Sequence, residues 1–382
     1  MDLRKFVTPE IVHGSGARHL AGTYARNIGA TRVLVVSDPG VVAAGWTAEV
    51  VRSLEREGLV THLFTGVTPN PRTTEVALGA ELSLEHECDA IVAVGGGSPM
   101  DCAKGIGIVL ANERQILEFE GVDRITSPIP PLLCVPTTSG SAADVSQFAI
   151  FTEREERLKF AVISKAIVPD VALIDADTTR TLSPYVIACT AMDAFVHAIE
   201  AFVSNASSPL TDAYALSAVT RTVESLPGAL HDPADLLPRG SLMVASLEAG
   251  LAFSNASLGA THAMAHAVGG LVDNPHGEAN AMLIEHVIAF NYAAAPERHD
   301  QIAARLGVRV AELSPNARRH ALIGAVRGMK KAIGLDLRLR DRGVTRSDLP
   351  VMAQTAFSDP CMATNPRPVT VDDVECIYEE AL

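Results

Sequence analysis

The constraint that most limits the fold is a change of pattern halfway along the chain. Up to about residue 182, short β-branched runs alternate with longer amphipathic stretches. Candidate strands are Arg32–Ser37, Thr61–Phe64, Ala90–Val94, Leu132–Val135 and Val171–Ile174. Candidate helices lie between them at Gly45–Glu57, Thr73–Glu87 and Pro99–Leu110. Such alternation predicts a mainly parallel sheet covered on both faces, with ligands at the carboxyl ends of its strands. Beyond Leu182–Pro184 the β-branched runs stop and Ala, Leu and Met dominate. Pro209, Pro227, Pro233, Pro238, Pro275, Pro296 and Pro315 read as helix boundaries, so an all-α domain of about eight helices is expected there.

Composition narrows the class of protein. A chain of 382 residues has room for about two or three domains. A formal net charge of −14 argues against nucleic-acid binding, which depends on Lys and Arg neutralising phosphates. Six cysteines (Cys88, Cys102, Cys134, Cys189, Cys361 and Cys376) form no CxxC pair and read as thiols in a reducing compartment. The N-terminus MDLRKFVTPE has no apolar leader, and no uninterrupted apolar run reaches the roughly 18 residues of a membrane span. A cytoplasmic location is the expectation.

The segment AIVAVGGGSPMDCAKGIGI reads as strand, glycine turn, helix. Gly95, Gly96 and Gly97 permit positive φ and close approach of backbone to a ligand. Ser98 reads as the helix N-cap, Pro99 as the first helical residue, and Asp101 as the partner of Ser98 in a capping box. Free amides at that helix end suit a pyrophosphate. The pattern is neither GxGxxG nor a Walker loop. Asp38 ends the strand VLVVS; its carboxylate suits ribose hydroxyls and repels a 2′-phosphate, or it closes an Asx turn over Asp38–Gly40. Two further polar segments, Thr68–Pro71 and Pro136–Ser141, also follow strands.

In the second half, Asp193 and His197 are spaced i,i+4 in AMDAFVHAIE, as are His262 and His266 in THAMAHAVGG. His276 opens the segment HGEAN. Residues four apart share a helix face. Two such pairs and one loop histidine suit a divalent metal, although a buried polar network satisfies the same spacing. One carboxylate and several imidazoles fit Fe²⁺, Zn²⁺, Co²⁺ or Ni²⁺. Such an ion lowers the pKa of a bound water by roughly eight units and eases ionisation of an alcohol in the same way. Spacing alone leaves open which of the five candidates bind. Phosphate candidates before residue 182 and metal candidates after it predict an α/β dinucleotide-binding domain over 1–182, a helical metal-binding and substrate domain over 183–382, and an active site in the cleft between them.

The segments GGGSPMDCAKGIG, DAFVHAIEAFVSNASSP, AFSNASLGATHAMAHAVGG, NPHGEANAMLIEHV and DPCMATNPR, in this order and spacing, resemble the iron-containing (group III) alcohol dehydrogenases. The resemblance implies the dehydroquinate synthase-like fold, homodimers or higher assemblies, and an NAD(H)- and Fe²⁺-dependent alcohol dehydrogenase or aldehyde reductase. It implies that Asp193, His197, His262 and His276 hold the metal, and that His266 lies by the nicotinamide and relays a proton. For the cofactor it points to Asp38, Asn70, Gly97, Ser98, Thr137, Thr138 and Lys159, to which the glycine turn adds Gly96 and Asp101. The chain departs from the family run Thr-Thr-Ala-Gly-Thr-Gly-Ser-Glu-Val at Ser141, Ala142, Ala143 and Asp144. That variant is similar to a subgroup containing 6-hydroxyhexanoate-type dehydrogenases and regulators of ethanol oxidation. A regulatory protein with weak turnover is the alternative expectation.

Overall fold

The computed structural model describes residues 4–153, 158–232, 234–272 and 274–382. Two compact units divide the chain: Val7–Leu182, and Ser183–Leu382 together with the N-terminal stretch ending at Phe6. That stretch joins the helical unit because Arg4 donates to the Asn205 carbonyl and Phe6 stacks on Tyr214.

Among its described residues the first unit holds nine strands: β1 Glu10–His13, β2 Arg32–Val36, β3 Val60–Phe64, β4 Ala90–Gly95, β5 Gly121–Val122, β6 Leu132–Pro136, β7 Phe148–Glu153, β8 Leu158–Ile163 and β9 Val171–Ile174. Six form one parallel sheet in the order β1-β9-β6-β4-β2-β3. Five helices accompany it: α1 Ala21–Asn27, α2 Pro39–Ala43, α3 Trp46–Arg56, α4 Thr73–Glu85 and α5 Gly97–Asn112. Alternate residues of each strand enter opposite cores, as the pleat requires. Leu34, Val36, Ile91 and Ala93 pack against α4 and α5 through Val76, Met100 and Ile106. Val33, Val35, Val92 and Val94 pack against α1 and α3 through Ala25, Val50 and Leu54. Both faces are buried, so the strands read as continuous apolar runs.

Two features were not anticipated. β1 is a short edge strand between TP and GSG, too brief to show a period. The second is a three-stranded sheet, β5-β8-β7, whose β7 and β8 pair antiparallel from Phe148↔Ile163 to Glu153↔Leu158.

Nine α-helices are found among the described residues of the second unit: α6 Pro184–Val203, α7 Pro209–His231, α8 Leu236–Ala256, α9 Ala260–Val272, α10 His276–Asn291, α11 Pro296–Arg305, α12 Pro315–Ala332, α13 Leu349–Ser358 and α14 Val371–Ala381. Ser183–Pro184, Ser208–Pro209 and Ser314–Pro315 each place a hydroxyl cap before a proline at the first helical position. The serine satisfies a free amide, and the proline lacks the donor that would otherwise be left over.

Two of the expected boundaries are wrong. Pro227 lies inside α7, and Pro238 is the third residue of α8. In the first turn a proline N has no intrahelical acceptor to miss. At Pro227 one ladder bond is lost, but buried Val219, Thr222, Leu226 and Ala229 anchor the helix on both sides. Pro233 falls outside the described residues.

Helix α6 is long and apolar enough to cross a membrane, with a mean hydropathy of 1.6, yet 89% of that window is buried inside the protein. It is a core helix.

Candidate active site

Asp193 and His197 stand one turn apart on α6. His262 and His266 stand one turn apart on α9, and His276 is the first residue of α10. The Asp193 Oδ1 lies 3.7 Å from His262 Nε2, 3.7 Å from His276 Nε2 and 3.9 Å from His197 Nε2. Asp193, His262 and His276 each contribute an atom to a triangle with all edges within 4.8 Å. His197 stands outside that triangle, its ring stacked between Phe253 at 4.3 Å and His262 at 4.4 Å. Donors bonded at about 2.0–2.2 Å to one ion stand roughly 3.3–3.6 Å apart at tetrahedral angles. The observed spacing is slightly wider, so a small contraction closes the set around a divalent cation. The donor chemistry, one carboxylate and three imidazoles, fits as well.

His266 is arranged differently. Its Nδ1–H donates to Asp359 Oδ2 at 2.7 Å, and Asp359 Oδ1 in turn accepts from the Cys361 amide. The ring stacks on His276 at 5.2 Å. Asp359 therefore holds the tautomer in which His266 Nε2 carries the lone pair.

The most consequential residue that sequence reasoning missed is Glu200. It sits one turn beyond His197 on the same face of α6 and is 3% exposed. Glu200 accepts from His262 Nδ1–H at 2.7 Å and from the amides of Gly259 and Thr261, which open α9. One carboxylate thus caps α9 and points His262 Nε2 at the cluster. A carboxylate behind a metal-bound histidine orients the ring and raises its basicity. Glu200→Gln is expected to weaken metal binding by about 10–100-fold, measured by chelator competition; unchanged affinity would remove this role.

Burial drives the Asp193 carboxyl up, but His197, His276 and His262 outweigh it and hold the group well below the usual carboxylate range. Burial lowers His262, while Asp193 and Glu200 raise it further, to about 9. The pocket demands positive charge. Asn280 Nδ2 lies 3.1 Å from His262 Nε2 and donates to Asp193 Oδ1 at 2.8 Å.

In the first unit the glycine turn follows β4. Gly95 has φ +154, and a Cβ there would meet Pro99 Cγ at 2.6 Å, so only glycine fits. Ser98 is not the cap. The helix begins at Gly97 after extended Gly96, and no side chain caps it. Pro99 is tolerated two residues into the helix because first-turn amides have no intrahelical acceptor. Ser98 Oγ accepts from the Asn70 amide, and Asp101 accepts from the Ile150 amide of β7. Lys159 donates to Asn70 Oδ1 at 3.0 Å. Thr138 lies against Gly96, Ser141 lies against Gly97, and the Thr137 amide donates to the Gly95 carbonyl. Asp38 caps α2 by accepting from Val41 N, leaving Oδ2 beside Gly95. Ala142 has φ +49, a left-handed conformation that glycine adopts without steric cost.

A parallel sheet with an uncapped, glycine-led helix suits a phosphate-bearing ligand, and a helical unit with a buried acid–imidazole cluster suits a divalent metal. Two family models cover the chain: iron-containing alcohol dehydrogenase over residues 8–176, and the C-terminal part of the Fe-containing alcohol dehydrogenase family over residues 187–382. The chain is 37% identical to 1,3-propanediol dehydrogenase of Klebsiella pneumoniae over 96% of each. It is 36% identical to the NAD-dependent methanol dehydrogenase of Bacillus methanolicus over 99% of each. The crystal structure of a 1,3-propanediol oxidoreductase superposes with TM-score 0.96 at 36% identity, covering 100% of both chains. The protein belongs to the iron-containing alcohol dehydrogenase family. It is an oxidoreductase of alcohols and aldehydes that uses NAD(H) and a divalent metal, iron in most of the family.

Proposed function

We propose that this enzyme interconverts small primary alcohols and their aldehydes at a cation held by Asp193, His197, His262 and His276. The observation that carries this reading is the approach of three imidazole Nε2 atoms to one Asp193 oxygen at 3.7–3.9 Å. Substrates named for the relatives, propanediol and methanol, are short and unbranched, and this chain is 96–99% covered by those relatives. A cation held by Asp193, His197, His262 and His276 would supply Lewis-acid polarisation of the substrate oxygen, and a nicotinamide held by the sheet unit would supply the hydride acceptor or donor.

The chain's own residues do the rest. Gly96, Gly97 and Ser98 offer amides to the pyrophosphate, and Thr137 and Thr138 flank it. Asn70 and Lys159 form a polar pair beside Ser98. Asp101 acts through the β7–β8 hairpin that carries Lys159. Oxidation removes a hydride from carbon and a proton from oxygen; His266 Nε2 accepts that proton, because Asp359 occupies Nδ1. In aldehyde reduction the same atom returns it.

The test is metal analysis of anaerobically purified protein, followed by a panel of alcohols and aldehydes with NAD(H) and NADP(H). About one metal per chain and turnover of short primary alcohols are expected. No bound metal, or no turnover with any of them, overturns the proposal. Asp38→Ala is expected to lower the preference for NAD over NADP by about tenfold, because a carboxylate that repels the 2′-phosphate is gone; an unchanged ratio of kcat/KM values would contradict the Asp38 assignment. A cytoplasmic homodimer or larger assembly belongs to the same proposal. All six cysteines are free thiols, which suits a reducing compartment. Light scattering on the purified enzyme gives the assembly size.

A further inference from the structure

One fully buried lysine of the sheet unit has no part in the chemistry described so far. Lys104 lies two turns into α5 and is 0% exposed. Its Nζ donates to the Phe148 carbonyl at 2.7 Å and to the Ser146 carbonyl at 2.9 Å, with Ser146 Oγ at 3.5 Å. Burial lowers the pKa of the ammonium, while Asp101, Cys134 and Asp144 oppose that shift. Amine and ammonium alike carry enough N–H groups for two carbonyls, so the contact does not turn on the proton.

Gly97, Asp101 and Lys104 follow one another at i, i+4 and i+7 and share a face of α5. The chain running from β6 into β7 meets all three. Ser141 lies against Gly97, where an added Cβ would stand 3.0 Å from its Oγ. Asp101 accepts from the Ile150 amide, and Lys104 takes the two carbonyls. Residues 142–149 are buried, and buried carbonyls need donors. The middle of a helix has no free backbone N–H to offer them, so a long side chain must bring one. The beginning of the connection is tied separately, by the Thr137 amide to the Gly95 carbonyl. The Ser164 amide donates to the Gln147 carbonyl, which ties the far end to the end of β8 but not to α5.

We propose that Lys104 is a positioning residue for the dinucleotide: by holding residues 146–148 onto α5 it keeps Thr137, Thr138 and Ser141 in place beside the glycine turn. This rests on the cofactor seat proposed above. The turn and the connection present their polar groups to one pyrophosphate, and α5 carries both the turn and Lys104. A seat fixed before the ligand arrives binds without the cost of ordering it. Without Lys104 the Ser146 and Phe148 carbonyls lose the donor that comes from α5, and the connection is hydrogen-bonded to the glycine turn only through Thr137.

Lys104→Met removes the donors and keeps an unbranched chain. NADH fluorescence titration of the Zn²⁺-loaded enzyme, well below the Tm of each variant, is expected to give a Kd about tenfold above wild type. KM for NAD rises in step, kcat at saturating NAD stays within about twofold, and Zn²⁺ affinity by chelator competition is unchanged, because the metal donors belong to the other unit. Lys104→Gln keeps two N–H groups on a shorter chain and is expected to recover part of the loss, with a Kd about threefold above wild type. A lower Tm with a wild-type Kd for NADH in Lys104→Met, or in Lys104→Gln where Lys104→Met does not fold, shows that the lysine serves stability alone and overturns the proposal. Gly97→Val tests the seat itself, since its side chain runs into Ser141 and covers the turn. If Gly97→Val binds NADH as wild type does, the glycine turn is not the seat and this inference falls with it. If Gly97→Val loses NADH while Lys104→Met keeps it, the seat stands and only the role of Lys104 fails.

Discussion

His276→Ala lowers turnover by more than about three orders of magnitude while leaving NADH binding nearly unchanged. The side chain of His276 is 26% exposed, against 8% for Asp193, 5% for His197 and 1% for His262. Its removal therefore disturbs packing least and reports on the cation most directly. With the ligand set proposed above, losing one of four donors leaves Asp193, His197 and His262 with an incomplete set, so metal content is expected to fall together with kcat. The glycine turn and its neighbours belong to the other unit of the chain, which is why NADH fluorescence titration should return the wild-type Kd. A variant with full activity and full metal content would show that His276 is not a ligand.

Gly277→Ala is expected to destabilise the helical unit by about 3 kcal/mol and to lower Tm by roughly 6–12 °C. A Cβ at residue 277 would overlap the Cys189 carbonyl oxygen, stand 2.7 Å from the Cys189 carbonyl carbon, and lie 3.2 Å from Asp193 Cβ. The obstructing atoms are backbone, so no side chain can swing aside. Helix α10 must lift off α6, and that movement draws His276 away from Asp193. Metal binding should weaken along with stability. Gly324→Ala supplies the opposite sign. That position is exposed in α12 with nothing within 4 Å of an added Cβ. Alanine there should stabilise by about 0.5–1 kcal/mol, through helix propensity alone. If thermal denaturation ranks the two alanine variants equally, the close α6–α10 contact is not what the glycine serves.

The acid–imidazole cluster was partly legible because helix periodicity is local. Asp193–His197 and His262–His266 announce themselves at a spacing of four, and the small residues around them mark a helix that packs closely. Glu200 continues the Asp193–His197 face and could have been read the same way, but a glutamate near a helix end ordinarily means solvent. Only the fold shows that it meets the start of α9. Asn280 stands four residues after His276, but an asparagine at that spacing does not announce a place in such a cluster, and Asp359 carries no local signal for its contact with His266; the contacts with Asp193 and His266 exist only after tertiary packing.

The strand order was likewise invisible. Each strand of the parallel sheet is a short apolar run, and nothing in such a run names its neighbour. The β7–β8 pair escaped because its strands are half-covered and its alternation is interrupted by a charged segment. The Ser98 cap failed for a different reason. Ser-Pro marks a helix start at Ser183, Ser208 and Ser314, but the glycines before Ser98 let the helix begin at Gly97, two residues earlier than Pro99. Local rules for capping hold where the preceding residue has a side chain, and three glycines remove that condition.

Helix α6 also bears on how the protein is made. Its greasy length leaves the ribosome carrying two acids and a histidine whose partners have not yet been synthesised. His276 follows Asp193 by roughly 80 residues, which at about 5–20 residues per second is a delay of roughly 4–16 s. For that interval the nascent chain presents an adhesive strip with unquenched charges, so the folding yield of this enzyme depends on what shields α6 while the rest of the helical unit emerges.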